Sequence, residues 1–291
     1  MPAVPDLPNL SSELRQVIDK ALAGDSRSQL MLGDRYAKGT EFPRDELQAA
    51  AWYRLAAQQG DVVAQTRLGD CHADGKGMPR DAGEAIPWYQ KAADAGYVVA
   101  QTRLGDCYAA GRGVPQDLAE AVAWYRKSAD NAYTVAQTAL GNCYAQGKGV
   151  PQDLAEAVAW YQKAAEQGYV VAQTSLGDCY ADGRGLPKDE EQAVTWYQKA
   201  ADAGYVVAQT RLGDCYAVGR GVPQDPVEAA AWYLKAAEKG FVVAQTNLGD
   251  CFANGRGVPQ DLEQATGWYR KAADAGYSPA KDRLNKMKLK E

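Results

Sequence analysis

Six cysteines, one histidine and a row of aspartates are the residues of this chain that could do chemistry, and their spacing decides whether they do. The cysteines are Cys71, Cys107, Cys143, Cys179, Cys215 and Cys251, each 36 residues after the last. A zinc site would need C-x-x-C pairs or a Cys/His cluster, and neither occurs. If cysteines one period apart sit on neighbouring helices about 10 Å apart, their Cα atoms exceed the roughly 7 Å that a disulfide spans. Six buried structural thiols are therefore expected, which favours a reducing, cytoplasmic setting. A periplasmic or secreted mature chain with its signal removed is the alternative. His72 stands where other repeats carry Tyr108, Tyr144, Tyr180 and Tyr216, so it reads as a core substitution, and no other histidine exists to build a triad. Glycine loops such as GRGVPQD at Gly111–Asp117 lack the preceding strand and the following lysine-serine pair of a phosphate loop. The expectation is a non-enzyme with no metal and no cofactor.

What positions these residues is an internal repeat, the first feature to look for in a chain of 291 residues. All seven tryptophans, from Trp52 to Trp268, fall 36 residues apart, and a tyrosine follows each, Tyr53 to Tyr269. The same period governs Leu68-Gly69 through Leu248-Gly249. Within a repeat, Ala100, Leu104, Cys107 and Tyr108 recur at helical spacing and make one apolar stripe. Gly105 inside that helix costs about 1 kcal/mol of propensity, so its recurrence implies a close approach by a neighbour. A second helix carries Ala121, Trp124, Tyr125 and Ser128 as the matching stripe; the tryptophan–tyrosine pairs read as core packing, not a ligand box. The intervening glycines permit left-handed backbone at the end of the first helix. The second then starts with an aspartate N-cap and an acid or amide three residues on, from Asp45/Gln48 to Asp261/Gln264.

The ends differ from the interior. Residues 11–23 align with a second helix but carry Gln16 in place of tryptophan, and 277–288 align with a first helix without the Leu-Gly-Asp-Cys register. Both read as polar capping helices. Expected are sixteen helices: a proline-rich lead-in at 1–10, then one solenoid over 11–288 with seven repeats at about 25–276. A net charge of −5 and a pI near 5.2 oppose a nucleic-acid partner, which demands a basic face. No apolar stretch is long enough to insert into a membrane.

The motif A-Q-x-x-L-G-x-x-Y-x-x-G-x-G-V-P-x-D…A-x-x-W-Y-x-K-A-A-x-x-G, complete at 172–204 save Leu186 for the valine, resembles the Sel1-like repeat, a relative of the tetratricopeptide repeat. The resemblance covers roughly residues 11–288. It implies an all-α fold, a right-handed α/α superhelical solenoid of helix–loop–helix repeats, whose first helices line a concave groove used to scaffold protein partners. Three departures stand out: the first loop, GTEFPRD at Gly39–Asp45, lacks its second glycine; Pro87 lies inside a second helix, where it should cost about 3 kcal/mol and kink it; and Ala132 replaces an inter-repeat glycine.

On that resemblance the concave face carries the threonines Thr102, Thr138, Thr174 and Thr210, and a ladder of Asp34, Asp70, Asp106, Asn142, Asp178, Asp214 and Asp250. The ladder reads either as a solvated structural feature or as a groove for a peptide or partner domain, one that is basic or donates backbone N–H groups. Pairing within the helix to Arg67, Arg103 and Arg211, three residues upstream, accounts for three of the aspartates and leaves Asp34, Asp178 and Asp250 without partners. Two rows vary among otherwise similar repeats and read either as carriers of specificity or as drift at unconstrained exposed sites. One is Lys38, Asp74, Ala110, Gln146, Asp182, Val218 and Asn254; the other is Met31, Arg67, Arg103, Ala139, Ser175, Arg211 and Asn247. The leading expectation is a protein-interaction scaffold. The alternative is a self-associating or consensus-like array with no specific ligand, since VVAQTRLGDC recurs unchanged at Val62 and Val98. Pro87 and the irregular first loop argue for a natural chain.

Overall fold

The computed structural model describes residues 11–288 and contains sixteen α-helices and no strand among them. The proline-rich lead-in at 1–10 lies outside the described residues. The chain divides into two compact bodies, Met1–Gln152 and Asp153–Glu291. The first holds α1 (Ser12–Leu22), α2 (Ser26–Lys38), α3 (Glu46–Gln58), α4 (Val62–Asp74), α5 (Ala82–Asp94), α6 (Val98–Ala110), α7 (Leu118–Asp130) and α8 (Thr134–Gln146). The second holds α9 (Leu154–Glu166), α10 (Val170–Asp182), α11 (Glu190–Asp202), α12 (Val206–Val218), α13 (Pro226–Glu238), α14 (Val242–Asn254), α15 (Leu262–Asp274) and α16 (Ser278–Lys288). Within each body every helix packs on the next along the chain. Even-numbered helices up to α14 are the first helices of repeats, and the odd-numbered ones from α3 are the second.

Local rules set these boundaries. A glycine in the left-handed region, φ between 63 and 75°, ends each first helix from Gly39 to Gly255. Each second helix starts at the expected aspartate, whose side chain accepts the N–H three residues on at 2.9–3.2 Å. The return half of a capping box is replaced by a longer link. The cap's own N–H donates to a first-helix carbonyl nine residues back, Asp117 to Tyr108 at 3.0 Å for example, and so fastens the loop to both helices. The second loop glycine has a different task. At Gly113, φ 75°, a Cβ would fall 2.1 Å from the carbonyl oxygen of Ala82, so each loop rests on the start of the preceding repeat's second helix.

The three departures are absorbed locally. In the first loop Glu41 takes φ 38°, its carboxylate meets Arg35 at 2.8 Å, and buried Phe42 stacks on Tyr36 with centroids 4.6 Å apart. Helix α5 runs unbroken through Pro87, which is exposed. Ala132 accepts φ 59° in place of glycine, a strained setting for a residue with a Cβ.

The core is built from small residues and one leucine per repeat: Leu68, Leu104, Leu140, Leu212 and their alanine neighbours are almost wholly inaccessible. Burying such a leucine is worth roughly 1.5–3 kcal/mol. A buried glutamine fastens each repeat to the one before, as when Gln101 Nε2 donates to the Ala93 carbonyl at 3.1 Å, eight residues back across the turn. The amide oxygens of Gln65, Gln101, Gln173, Gln209 and Gln245 are buried without a partner, at a cost of about 1–3 kcal/mol each. At the first junction that cost is removed, because Gln59 Nε2 donates to Gln29 Oε1 at 2.7 Å. Ala95 holds the place of Gln59 one repeat later. Ala95→Gln should therefore raise stability by about 0.5–1.5 kcal/mol in urea denaturation, and the gain should disappear in a Gln65→Met background.

Candidate functional site

The ladder begins with the triplet Leu-Gly-Asp on each first helix. Leucine enters the core, and the bare glycine lets a second-helix tyrosine lie against the backbone. A Cβ at Gly105 would stand 2.5 Å from Cε1 of Tyr125, and one at Gly33, Gly69, Gly213 or Gly249 would stand 2.5–2.6 Å from the ring of its tyrosine. The close approach inferred from sequence is thus a tyrosine ring. Its buried hydroxyl needs a partner and donates to the next residue of the triplet. Tyr53, Tyr89, Tyr125, Tyr197, Tyr233 and Tyr269 reach Oδ1 of Asp34, Asp70, Asp106, Asp178, Asp214 and Asp250 at 2.7–2.9 Å. Burial, with the facing carboxylates, pushes these tyrosine hydroxyls far above their usual range.

The cations approach from the other side, and here the sequence reading is corrected. Arg103 Nε donates to Asp70 at 3.1 Å and Arg211 Nε to Asp178 at 3.1 Å; Arg67 lies 3.8 Å from Asp34 and Arg283 2.9 Å from Asp250. Each pair joins one repeat's aspartate to a helix 33 residues on: the next repeat's first helix, or for Asp250 the capping helix α16. Asp34, Asp178 and Asp250, which had no partner under pairing within the helix, are all paired. The expected contact within the helix survives only as Arg103 Nη1 at 3.9 Å from Asp106. Ala139 stands where Asp106 would meet the next arginine, and Asn247 donates to Asp214 at 3.3 Å. Without a full cationic partner, burial raises the Asp214 pKa above the usual carboxylate value, against the lowering effects of Tyr233 and Arg211.

Four of the sequence-derived site residues belong elsewhere. Thr102, Thr138, Thr174 and Thr210 are only 4–5% exposed and donate to the carbonyl four residues back at 2.8–3.0 Å. They are interior residues, because a first helix is covered both by its own second helix and by the preceding one. The two variable rows do reach solvent. Asp74, Gln146, Asp182, Asn254 and Asn142 are exposed, as are Arg67, Arg103 and Arg211. Asp74 pairs with Lys76 and Asp182 with Arg184.

That last contact exposes a row the sequence reading passed over. The residue between the two loop glycines is basic in six repeats: Lys76, Arg112, Lys148, Arg184, Arg220 and Arg256. Its 36-residue spacing was the available signal. In the first body a cavity of about 540 Å³ is lined by Asp34, Asp70 and Asp106 together with Lys76 and Arg112. In the second, one of about 270 Å³ is lined by Asp178 and Asp214 together with Arg184 and Arg220.

The remaining reactive groups are quiet. The cysteines are free, and burial pushes the Cys71, Cys215 and Cys251 thiols up to about 11. His72 is half-buried, and burial lowers its pKa. Among the described residues no group of three or more His, Cys, Asp or Glu could hold a metal. Trp52, Trp124, Trp160 and Trp232 are buried. In six repeats a lysine ammonium sits 3.6–4.6 Å from the tryptophan ring centroid, worth about 0.5–1 kcal/mol at an exposed edge.

Fold and ladder together define an α-helical repeat solenoid with cavities along its first helices. The Sel1 repeat model matches residues 26–61, 62–97, 98–133, 134–169, 170–205, 206–241 and 242–277, and the chain belongs to the Sel1 repeat family. A protective antigen of uropathogenic Escherichia coli displaying an SLR fold is 38% identical with a TM-score of 0.79. That match covers 95% of this chain, which spans 59% of the antigen's length. A Sel1 repeat protein from Oxalobacter formigenes is 36% identical with a TM-score of 0.76, over 96% of this chain and 82% of that one. Yeast Tom70, 14% identical with a TM-score of 0.59 over 95% of this chain and 58% of its own, shares the fold alone. Comparison with curated proteins finds no match. Sel1 repeat proteins are in general protein-interaction scaffolds, and no described helix is long and apolar enough to cross a membrane.

The ladder's geometry can be tested by stability. Gly105→Ala must displace the Tyr125 ring and should cost about 1–3 kcal/mol. Gly267→Ala, in a helix with nothing within 4 Å of the added Cβ, should instead gain about 1 kcal/mol; thermal melts by circular dichroism distinguish the two. Asp214 gives a pH signature. Its pKa is higher folded than unfolded, so the native chain holds that proton longer, and stability falls as pH rises from the ordinary carboxylate value through the folded one. Asp214→Asn, the residue already present at Asn142, should be more stable relative to wild type at pH 7 than at pH 3. Asn247→Arg, recreating the Arg103 rung, should flatten the same profile.

Proposed function

We propose that the chain is a non-catalytic scaffold that holds an extended peptide, or an extended segment of a partner domain, against the cavities lined by its first helices. The observation that carries this reading is the asymmetry of the rungs at Asp70 and Asp178. Oδ1 of Asp70 and of Asp178 takes both the tyrosine hydroxyl and the arginine Nε, while Oδ2 accepts nothing among the described residues. The Asp70 and Asp178 rungs thus offer a fixed, half-exposed acceptor oxygen beside a guanidinium with spare donors. Neighbouring first helices stand about 10 Å apart and an extended chain rises about 3.3 Å per residue, so one rung meets about every third residue of a ligand. Backbone N–H groups or basic side chains suit the open oxygens. In the second body three arginines and four carboxylates line the cavity, which favours a basic segment there.

Catalysis has little to work with, since burial keeps the thiols protonated and His72 has no acid or nucleophile bonded to it among the described residues. Thiols so buried suit a reducing compartment, and we place the protein in the cytoplasm. The test is a peptide array probed with wild type and with a triple variant, Asp106→Asn, Asp178→Asn and Asp214→Asn, after circular dichroism shows equal helix content. Peptides bound by wild type, weakened by salt and lost by the variant are expected. Identical profiles for the two proteins would remove the ladder from the binding surface.

A further inference from the structure

The cavity of the first body has a charge opposite to that of the whole chain. Seven cationic and five carboxylate side chains line it, whereas the protein carries −5. Four of the carboxylates are already engaged: Asp34 by Arg67, Asp70 by Arg103, Glu46 by Arg44 and Asp74 by Lys76. Asp106, the fifth, accepts the Tyr125 hydroxyl and lies 3.9 Å from Arg103. Lys38, Arg80 and Arg112 are left lining the cavity with no ion pair among the described residues. Arg80 is nevertheless held in place, its Nε donating to the Ala73 carbonyl at 3.0 Å. The walls near these cations include alanines 37, 49, 73 and 82, so side chains from outside can enter.

We propose that this cavity is a subsite for an acidic peptide segment, with glutamate or aspartate carboxylates of the ligand meeting Lys38, Arg80 and Arg112. The inference rests on the groove reading above and adds a charge rule to one part of it. Three observations select the ligand. The three cations come from three successive repeats: Lys38 ends α2, Arg80 follows α4 and Arg112 follows α6. Set in three repeats, they suit carboxylates strung along an extended chain, not one compact anion. A nucleic acid, which draws its affinity from a continuous basic surface, is opposed by the acidic total and by the excess of carboxylates in the second body's cavity.

The experiment is fluorescence anisotropy on the full chain with capped, labelled dodecapeptides of the pattern Glu-Gly-Ser, Lys-Gly-Ser and Gln-Gly-Ser. The variant is the triple Lys38→Gln, Arg80→Gln, Arg112→Gln. Its control carries the same charge change in the second body, Arg184→Gln, Arg220→Gln, Arg256→Gln, and both are checked for wild-type helix content. Wild type should prefer the glutamate peptide to the glutamine peptide, with affinity falling as salt rises. The first triple should weaken it about tenfold and the control by less than about twofold. Equal glutamate-peptide affinity for wild type and the first triple, or no preference for glutamate over glutamine, overturns the subsite. If the lysine peptide still binds in that case, the groove reading stands alone; if no peptide binds, both fall. Displacement of the glutamate peptide by a mixed-sequence oligonucleotide of equal charge would make the cavity a general polyanion site and overturn the peptide assignment.

Discussion

A tyrosine ring lying on a glycine is the contact on which the rest of each repeat depends. It brings the second helix close enough to the first for the phenol to span the gap, and a buried phenol must then find an acceptor. The aspartate after the glycine is that acceptor, which explains why leucine, glycine and aspartate travel together along the chain. Once its Oδ1 is held by the hydroxyl, the carboxylate has one orientation, and the arginine of the following repeat meets a fixed target. Glycine sets tyrosine, tyrosine sets aspartate, and aspartate sets the junction.

The ladder is consequently a feature of junctions. Its carboxylates look like a row of like charges when read along one face, yet four of them are neutralised by guanidinium groups that arrive from the next repeat or, at Asp250, from the capping helix. Such half-exposed pairs add little stability individually, about 0–1 kcal/mol. Their larger effect is on what the cavities present. With the rungs balanced, the net character of each cavity is decided by the loop cations and by the variable ends of the first helices, which differ from repeat to repeat.

Much of this was legible in the sequence because the governing rules are local. The aspartate caps, the left-handed glycines and the apolar stripes each constrain a few adjacent residues, and a 36-residue period repeats the evidence seven times. The arginine partners were not legible in the same way. A helical wheel shows that Arg103 and Asp106 share a face, but it cannot show that Arg103 reaches back to Asp70 on the preceding helix. The threonines were misplaced for a related reason: a helix covered on two sides has a buried arc wider than one stripe, so Thr102 and Gln101 fall inside it. Their invariance from Thr66 to Thr246, set against rows that do vary, was the sign that they are interior. The loop cations were equally readable from their 36-residue spacing, but the glycines on either side dominate the pattern of that segment.

The 33-residue reach of the ladder's ion pairs bears on how such a chain changes length. A pair contained within one repeat would be copied or lost with it, but a pair shared between neighbours is re-formed wherever two compatible repeats meet. Deleting or duplicating a 36-residue block closes the gap with another junction of the same kind, and no carboxylate is stranded if the incoming block carries arginine at the matching place. The string VVAQTRLGDC, present at Val62, Val98 and Val206, contains that arginine and the aspartate together. Unequal crossing-over between such blocks would leave charge balance intact, whereas replacing one arginine would not. Lineages carrying this repeat can therefore gain or lose whole turns of solenoid more freely than they can alter a single rung.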